Sequence, residues 1–314
     1  MEKERIAIID MGTNTFHLLI AERDGSKCHI LLNEKVSVKI GQGGISKNFI
    51  SSDAYERALK TLIQFEAIIS TYQVHNIYAT ATSAIRNAGN GYVLVKEIKE
   101  RTGIEVKVIS GDKEAELIYE GVKYGMDLGK STSVIMDIGG GSVEFIICNH
   151  DKIFYKESFE IGAQRLLDKF HKSDVITLEE TQHMIDYLEE KLTPLFQAAA
   201  TFKPVTLVGS SGTFDTLCDI DVRRKGISFS IEQGIEYTLS MKDFEEISYD
   251  ILSKSREERM QIPGMAEMRV DMIVVACILI QFITHKFQTQ KIRVCAYALK
   301  EGLLSKVMQG KIEF

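Results

Sequence analysis

Two segments of the sequence place an aspartate beside glycines and small polar residues. The first, residues 6–20, reads IAIIDMGTNTFHLLI, and the second, residues 134–148, reads VIMDIGGGSVEFIIC. Each is an apolar strand that ends in an aspartate, followed by a turn of small residues and a second apolar strand. Small residues let successive backbone N–H groups approach phosphate oxygens, and a carboxylate at a strand end is a suitable ligand for Mg²⁺. The repeat therefore predicts a site for phosphate and magnesium.

A third loop, residues 208–213, reads VGSSGT and lies between a predicted strand and a predicted helix. A helix N-terminus presents unpaired N–H groups and the positive end of the helix dipole, so this loop is a further candidate for anion binding. Over the three loops, the candidate phosphate-binding residues are Gly12, Thr13, Asn14, Gly139, Gly140, Gly141, Ser142, Ser211, Gly212 and Thr213. The candidate metal ligands are Asp10, Asp137 and Glu144. Glu144 lies two residues after Ser142, on the same face of its strand.

Strands and helices must hold these loops in place. In the first part of the chain, runs rich in Ile and Val predict strands over residues 6–9, 16–21, 36–40, 77–81 and 106–109. Helical periodicity predicts helices over residues 52–72, 91–101 and 112–124. The stretch 125–132 contains two glycines and no apolar periodicity, which marks it as a junction. We therefore expect an α/β fold with an N-terminal domain over residues 1–125 and a C-terminal domain over residues 126–314.

The second domain is predicted to be larger and more helical. Its strands are expected over residues 134–137, 143–148, 152–158, 205–208 and 292–295. Its helices are expected over residues 163–170, 178–200, 214–219, 231–239, 241–253, 266–285 and 297–308. Each domain opens with one copy of the repeated segment, which indicates two related units.

The net charge of the chain argues against a nucleic-acid partner. The 314 residues carry 38 Lys and Arg against 44 Asp and Glu, a net charge of −6. Such a chain repels polyanions at long range, so we expect no nucleic-acid partner and a local basic lining for any phosphate substrate. Candidates for that lining are Lys35, Lys39, Arg86, Lys113, Arg165 and the run 223–225.

Five widely spaced cysteines without a CxxC pair argue against a disulfide framework and a structural zinc site. We find neither the pattern of a secretory signal nor an apolar run of membrane-spanning length. These features predict a cytoplasmic protein that does not act at a membrane.

Two hairpins of this kind, followed by a glycine-rich turn between strand and helix, resemble the actin-like ATPase superfamily. The resemblance implies two actin-like, ribonuclease H-like domains flanking a cleft that holds phosphates and metal. Three further segments make it more specific: TATSAIRNAGN at residues 80–90, VISGDKEAELIYEGV at residues 108–122 and ALKEGL at residues 298–303. With these, nearly the whole chain closely resembles, in order, the exopolyphosphatase and guanosine pentaphosphate phosphohydrolase family.

This resemblance implies a phosphohydrolase that uses water and Mg²⁺, or another divalent cation. Its reaction would release the terminal phosphate of inorganic polyphosphate or of pppGpp, a nucleotide of the stringent response. The binding partners would then be polyphosphate or guanosine penta- or tetraphosphate. The oligomeric state is left open, with a homodimer as one option.

The resemblance also implies roles for individual side chains. Glu114 corresponds to the second acidic residue of the family's Ser-Gly-x-Glu-Glu-Ala motif, which orients or deprotonates the attacking water. Its place in the first turn of a helix would direct the carboxylate toward the domain interface, where burial raises the pKa of a general base. Arg86 follows a strand among small residues, where its guanidinium is suited to bidentate phosphate binding. Arg269 fits a further pattern of the family.

The chain departs from the family pattern at three places. Residues 10–15 read DMGTNT where the family usually has Asp-x-Gly-Ser-Asn-Ser, a change that keeps every hydroxyl. Lys113 replaces the first of two acidic residues, so a cation beside Glu114 would lower the pKa of the base or contact phosphate. The sequence ends at Phe314, before the helical C-terminal domains of long relatives, so we expect little processivity on long polyphosphate.

Two other functions fit the same residues. An ATP-dependent small-molecule kinase would have the same fold and would consume ATP only when an acceptor is added. A non-catalytic sensor of pppGpp or ppGpp would bind the nucleotide without releasing phosphate.

Overall fold

Two mixed β-sheets form the framework of the computed structural model, which describes residues 4–25 and 27–312. The first sheet contains the strands β1 (Glu4–Met11), β2 (Thr15–Asp24), β3 (Lys27–Ser37), β4 (Asn76–Ala81) and β5 (Val106–Val108). Their order across the sheet is β3-β2-β1-β4-β5. The β1–β2 and β2–β3 pairs are antiparallel, whereas β1–β4 and β4–β5 are parallel.

The second sheet repeats this arrangement. Its strands are β6 (Ser133–Ile138), β7 (Val143–Cys148), β8 (Ile153–Phe159), β9 (Thr206–Ser210), β10 (Glu236–Ser240) and β11 (Lys291–Cys295). Their order is β10-β11-β9-β6-β7-β8, with β6–β7 and β7–β8 antiparallel and β6–β9 and β9–β11 parallel. Apart from the added edge strand β10, the two sheets share one topology. The repeat in the sequence is therefore a repeat of the fold, and the predicted α/β class with two ribonuclease H-like lobes is confirmed.

Thirteen helices are described. They are α1 (Ser52–Thr71), α2 (Ser83–Arg86), α3 (Gly91–Thr102), α4 (Gly111–Gly125), α5 (Ala163–Phe170), α6 (Leu178–Lys191), α7 (Thr193–Phe202), α8 (Gly212–Arg224), α9 (Ile231–Gly234), α10 (Met241–Ser253), α11 (Arg256–Met260), α12 (Met272–Phe287) and α13 (Leu299–Met308). Side chains cap several of them; Ser110, for example, accepts a hydrogen bond from the Lys113 N–H at the start of α4. Over the described residues, no helix is both long and apolar enough to cross a membrane.

Five predicted elements are wrong in extent or type. The helix expected over 214–219 is the longer α8, and the helix expected over 266–285 is a 3-10 turn at Glu267–Arg269 followed by α12. The strand expected over 36–40 is the end of β3, because Lys39 has a positive φ of 50° beyond the strand. The helix expected over 178–200 is two helices, since the chain bends at Leu192 and Pro194 starts α7 without an N–H to donate. The helix expected over 231–239 stops at Gly234; residue Ile235 has a φ of 63°, and the chain continues as strand β10.

Helices α4 and α13 pack against each other in a core that both sheets share. This core includes Ile8 from the first sheet and Ile135 from the second, together with apolar residues of both helices. The two helix backbones nearly touch, because a Cβ on Gly121 would lie 1.9 Å from the Ala298 carbonyl oxygen and one on Gly302 would lie 1.8 Å from that of Leu117. Helix α4 precedes the predicted domain boundary at 125/126, and α13 follows it. Because these two helices pack in one core, the structure does not decide where the domains divide, and the boundary stays a prediction.

Candidate active site

The turns of the two repeated hairpins face each other across the cleft between the lobes. A Cβ added to Gly140 would lie 2.4 Å from Asn14 Nδ2, and one added to Gly141 would lie 2.6 Å from Thr13 Oγ1. Gly140 and Gly141 both have a negative φ, so their backbone conformation does not require glycine. Glycine is needed at these positions because the two lobes approach each other too closely for a side chain. The two turns therefore form opposite walls of one site.

Between the turns lies a polar cavity of about 130 Å³. The predicted site residues that line it are Asp10, Gly12, Thr13, Asn14, Glu114, Asp137, Gly139, Gly140, Gly141, Ser142, Ser211 and Gly212. Three predicted residues are not part of its lining. Thr213 is buried within α8, whereas Glu144 and Arg86 lie behind the lining and contact its members or their neighbours.

Buried carboxylates converge on the cavity. Asp137 accepts hydrogen bonds from the hydroxyls of Ser210 at 2.7 Å and Ser211 at 2.6 Å. Burial raises the pKa of Asp137, and these two hydrogen bonds oppose the rise. Burial raises the pKa of Asp10 to about 7, with the charge of Glu114 adding to the effect, and its Oδ1 atom has no hydrogen-bond partner.

Glu144 lies on β7 directly opposite Asp137 in the β6–β7 pairing. Its Oε1 accepts a 2.6 Å hydrogen bond from the Ser158 hydroxyl. Burial raises the pKa of Glu144 well above its usual range, and the charges of Glu114 and Asp137 raise it further. The site thus concentrates negative charge that a cation would neutralise.

Glu114 lies in the first turn of helix α4 and is 6% exposed. Its Oε2 accepts a 2.8 Å hydrogen bond from Arg86 Nη1, which also donates to the Ile109 carbonyl. Burial raises the pKa of Glu114 to about 7, and the Arg86 guanidinium opposes this rise. A carboxyl that titrates near neutral pH is suited to general-base chemistry.

Lys113 pairs with a different carboxylate of the same helix. Its Nζ lies 3.3 Å from Glu116 Oε1 on the same helix, so its charge is paired there. Two residues of the basic run 223–225 are likewise paired: Arg224 pairs with Asp250, and Lys225 Nζ lies 2.7 Å from an Asp221 oxygen. Of the predicted basic lining, Lys35 alone borders the cavity itself.

Sequence reasoning assigned no role to Asp215 and Lys300, which both line the cavity. Burial raises the pKa of Asp215 to about 6, and its Oδ1 has no hydrogen-bond partner. Lys300 Nζ lies 2.8 Å from Glu301 Oε1. Arg269, expected from the family pattern, also lines the cavity and packs its guanidinium against Gly212. Their places in the sequence are the only signal for them: Lys300 lies within the segment 298–303, and Asp215 lies two residues after the loop 208–213.

Ser211 has an unusual backbone conformation, with φ 70° and ψ 171°. This region is almost restricted to glycine, and a residue held in it costs about 1–3 kcal/mol. In this conformation Ser211, at the N-terminus of α8, donates a hydrogen bond from its hydroxyl to Asp137. Strained residues cluster at functional sites, so this feature supports a functional role for the third loop.

The acidic side chains around the cavity fit a magnesium ion that keeps part of its water shell. Across residues 4–25 and 27–312, no three His, Cys, Asp or Glu side chains are placed to form a complete metal cage. Mg²⁺ usually binds one or two carboxylates and completes its shell with water and substrate phosphate oxygens. The buried, unpaired Oδ1 of Asp10 and the carboxylate of Asp137 line the same cavity, so the residues fit this mode of binding.

Two ribonuclease H-like lobes whose small-residue turns meet over buried carboxylates define an actin-like protein with a polar interlobe cleft. Residues 19–310 match the Ppx/GppA phosphatase family, and the chain belongs to that family.

Individual relatives agree with this family assignment. The chain is similar to a crystal structure of an exopolyphosphatase from Cytophaga hutchinsonii, with 44% identity, 98% of each chain covered and a TM-score of 0.95. It is 30% identical to a bifunctional 3-dehydroquinate synthase/phosphatase of Fusobacterium nucleatum over 97% of this chain. It is also 25% identical to a guanosine-5'-triphosphate,3'-diphosphate pyrophosphatase of Photobacterium profundum over 96% of this chain. The chain spans only 46% and 59% of the lengths of these last two proteins.

Proposed function

We propose that this protein is a phosphohydrolase that releases the terminal phosphate of inorganic polyphosphate, of pppGpp or of both by attack of water. The observation that carries the proposal is the buried Glu114 carboxylate in a cavity walled by two phosphate-type turns. The names of the relatives support this substrate class, since one is an exopolyphosphatase and another a guanosine-5'-triphosphate,3'-diphosphate pyrophosphatase.

In the proposed reaction, the backbone N–H groups of the two turns and the hydroxyls of Thr13 and Ser142 hold the terminal phosphoryl group. Glu114 accepts a proton from the water that attacks phosphorus, and the phosphoanhydride bond to the rest of the chain breaks. Hydrolysis of this kind depends on placing water in line and on neutralising charge, because the transition state requires little covalent help from the protein. Arg86 holds the Glu114 carboxylate in position through its 2.8 Å contact.

Asp10 and Asp137 would hold Mg²⁺ together with substrate oxygens, and Glu144, which lies behind the cavity lining opposite Asp137, would add negative charge that favours the cation. A bound Mg²⁺ would neutralise charge on the phosphates and orient them. We also propose Lys300 and Arg269 as cations that offset substrate charge, since both line the cavity of a protein whose net charge is −6.

The decisive assay measures phosphate release from polyphosphates of graded length and from pppGpp, each with and without Mg²⁺. We expect release that depends on Mg²⁺ and needs no acceptor. ATP consumption that requires an added acceptor would instead identify a kinase. Tight nucleotide binding without phosphate release would identify a sensor.

The pH profile tests the role of the base. Because the pKa of Glu114 is raised to about 7, the carboxyl is protonated and inactive below that pH. We expect kcat/KM to rise with pH through about 7 and to be about tenfold lower one pH unit below the midpoint. Steady-state kinetics from about pH 5.5 to about pH 8, with circular dichroism as the control for folding, measures this limb. A flat profile would exclude Glu114 as the base.

Thermal unfolding tests the cation. Burial raises the pKa values of Asp10 and Glu114 to about 7. At pH values between the ordinary pKa of these carboxyls and about 7, the folded state therefore binds more protons than the unfolded state. Stability from these groups is therefore lost as pH rises through about 7. We expect Mg²⁺ to raise Tm more at about pH 8 than at about pH 5.5, with NaCl of equal ionic strength as the control. An equal Mg²⁺ effect at both pH values would contradict the carboxylate site.

The cellular compartment and the binding partners of the enzyme can also be proposed. We propose a cytoplasmic protein of the stringent response that binds polyphosphate or guanosine penta- or tetraphosphate and does not bind nucleic acid or membranes. The five cysteines support a reducing compartment, because all of them are free thiols and four are buried. A homodimer stays the oligomeric state to test, by light scattering.

A further inference from the structure

Glu160 joins the two lobes at the edge of the active site. It follows β8 in the second lobe, and its carboxylate accepts a 2.7 Å hydrogen bond from the Ser83 hydroxyl of the first lobe. Arg86 Nη2 lies 3.2 Å from its Oε1, and Arg165 Nη2 lies 3.2 Å from its Oε2. Two cations and a hydroxyl thus converge on one carboxylate.

The two arginines are held in place by other contacts. Arg86 donates from Nη1 to Glu114 and to the Ile109 carbonyl, while Arg165 donates to the carbonyls of Gly141 and Ile45. Their side chains are 17% and 16% exposed, whereas the Glu160 side chain is 43% exposed. The donors are therefore preorganised, and the anion between them is the most exposed of the three charged side chains.

The same donors are suited to a phosphoryl group. Guanidinium groups bind carboxylate and phosphate oxygens with the same geometry, so one anion can replace the other. Two arginines face Glu160 and Glu114, which leaves one positive charge in excess once Glu160 moves away. These donors also lie next to the two small-residue turns of the cavity. A Cβ on Gly141 of the second turn would lie 2.6 Å from Ser83 Oγ and 2.6 Å from Thr13 Oγ1 of the first turn.

We infer that Ser83, Arg86 and Arg165 form a subsite for a phosphate of the substrate, and that the Glu160 carboxylate occupies this subsite until substrate displaces it. Glu160 is then an internal competitor that sets the apparent affinity for anionic substrates. A cavity of about 380 Å³ lined by Glu160, Arg165 and Lys169 gives the displaced carboxylate room to move. This inference rests on the proposed function.

The test compares Glu160→Gln, which keeps the shape and removes the charge, with Glu160→Asp, which keeps the charge. We expect Glu160→Gln to lower KM for tripolyphosphate about three- to tenfold, as for one partly exposed charge contact, with kcat changed less than about twofold. Glu160→Asp should keep a KM near that of the wild type. Glu245→Gln on the exposed face of α10 is the matched control for a change of net charge, and its KM should equal the wild-type value.

Calorimetric titration with methylenediphosphonate, which is not hydrolysed, separates this inference from the proposed function. We expect Glu160→Gln to bind this probe more tightly than the wild type by the same factor as the fall in KM. Adding Arg165→Gln to Glu160→Gln should reverse that gain, because it removes one of the two cations. An unchanged or weaker affinity in Glu160→Gln would show a purely structural ion pair and overturn the inference. If the wild type releases no phosphate from any substrate, the proposed function fails, and the titration still decides the role of Glu160.

Discussion

Glu114→Gln is expected to lower the rate of phosphate release by about 10²- to 10⁴-fold, the range associated with loss of a general base. The amide keeps an oxygen that accepts the hydrogen bond from Arg86, so the guanidinium is not left unpaired in a buried site. The fold should therefore be retained, and the loss should fall on kcat with little change in KM. Release of inorganic phosphate under saturating tripolyphosphate measures the effect.

Glu116→Gln is the matched control for this variant. Glu116 lies on the same helix, two residues further on, and its carboxylate pairs with Lys113 and Lys156 outside the cavity lining. Its kcat should stay near the wild-type value. Wild-type turnover in Glu114→Gln, in a protein whose Tm is unchanged, would show that another group activates the water.

Gly140→Ala should reduce kcat/KM by about 100-fold. The added Cβ would lie 2.4 Å from Asn14 Nδ2 and 3.0 Å from Thr13 Cβ, whereas an ordinary contact begins near 3.4 Å, so the Asn14 side chain must move by about 1 Å and the first turn must also give way. A displacement of that size in a positioned site costs about 10² in rate. It would also disturb the 3.0 Å contact from Asn14 Nδ2 to the Met272 sulfur, which links the first turn to α12.

Gly89→Ala provides the comparison for a glycine that is not crowded. A Cβ at Gly89 would lie 3.9 Å from the Asn48 carbonyl oxygen, which is an ordinary contact. Its activity should match that of the wild type. Equal losses in the two variants would mean that the effect of Gly140→Ala is general destabilisation, and equal retention would mean that the turns need not approach so closely.

The sequence was sufficient to predict the two-lobed fold because the information is local. The segments around Asp10 and Asp137 each contain an apolar strand, a small-residue turn and a second strand, and the structure pairs those strands as hairpins. The two turns face each other because the two lobes share one topology, so that equivalent strand ends meet at one cleft. This is why most cavity-lining residues of these turns were identified from sequence.

Other features depend on contacts that the sequence does not display. Strand β3 is an edge strand with mostly exposed or half-buried side chains, and its apolar run is only three residues long, at positions 30–32, so it does not show the longer run that marks a buried strand. The strained backbone of Ser211 is imposed by its surroundings, since serine has no preference for that conformation. Glu160 meets Ser83 and Arg86 across 77 and 74 residues of chain, which no local pattern predicts.

The crossing of α4 and α13 at Gly121 and Gly302 has a mechanical consequence. Backbones packed this closely resist sliding past each other, so we expect the lobes to change their relation mainly by turning about that point. Helix α4 then acts as a lever arm: its first residue, Gly111, stands ten residues from Gly121, or about 15 Å along the axis. A turn of about 10° would move the far end by roughly 2.5 Å at that radius, enough to break a contact such as the 3.1 Å hydrogen bond from Lys156 Nζ on β8 to the Asp112 carbonyl.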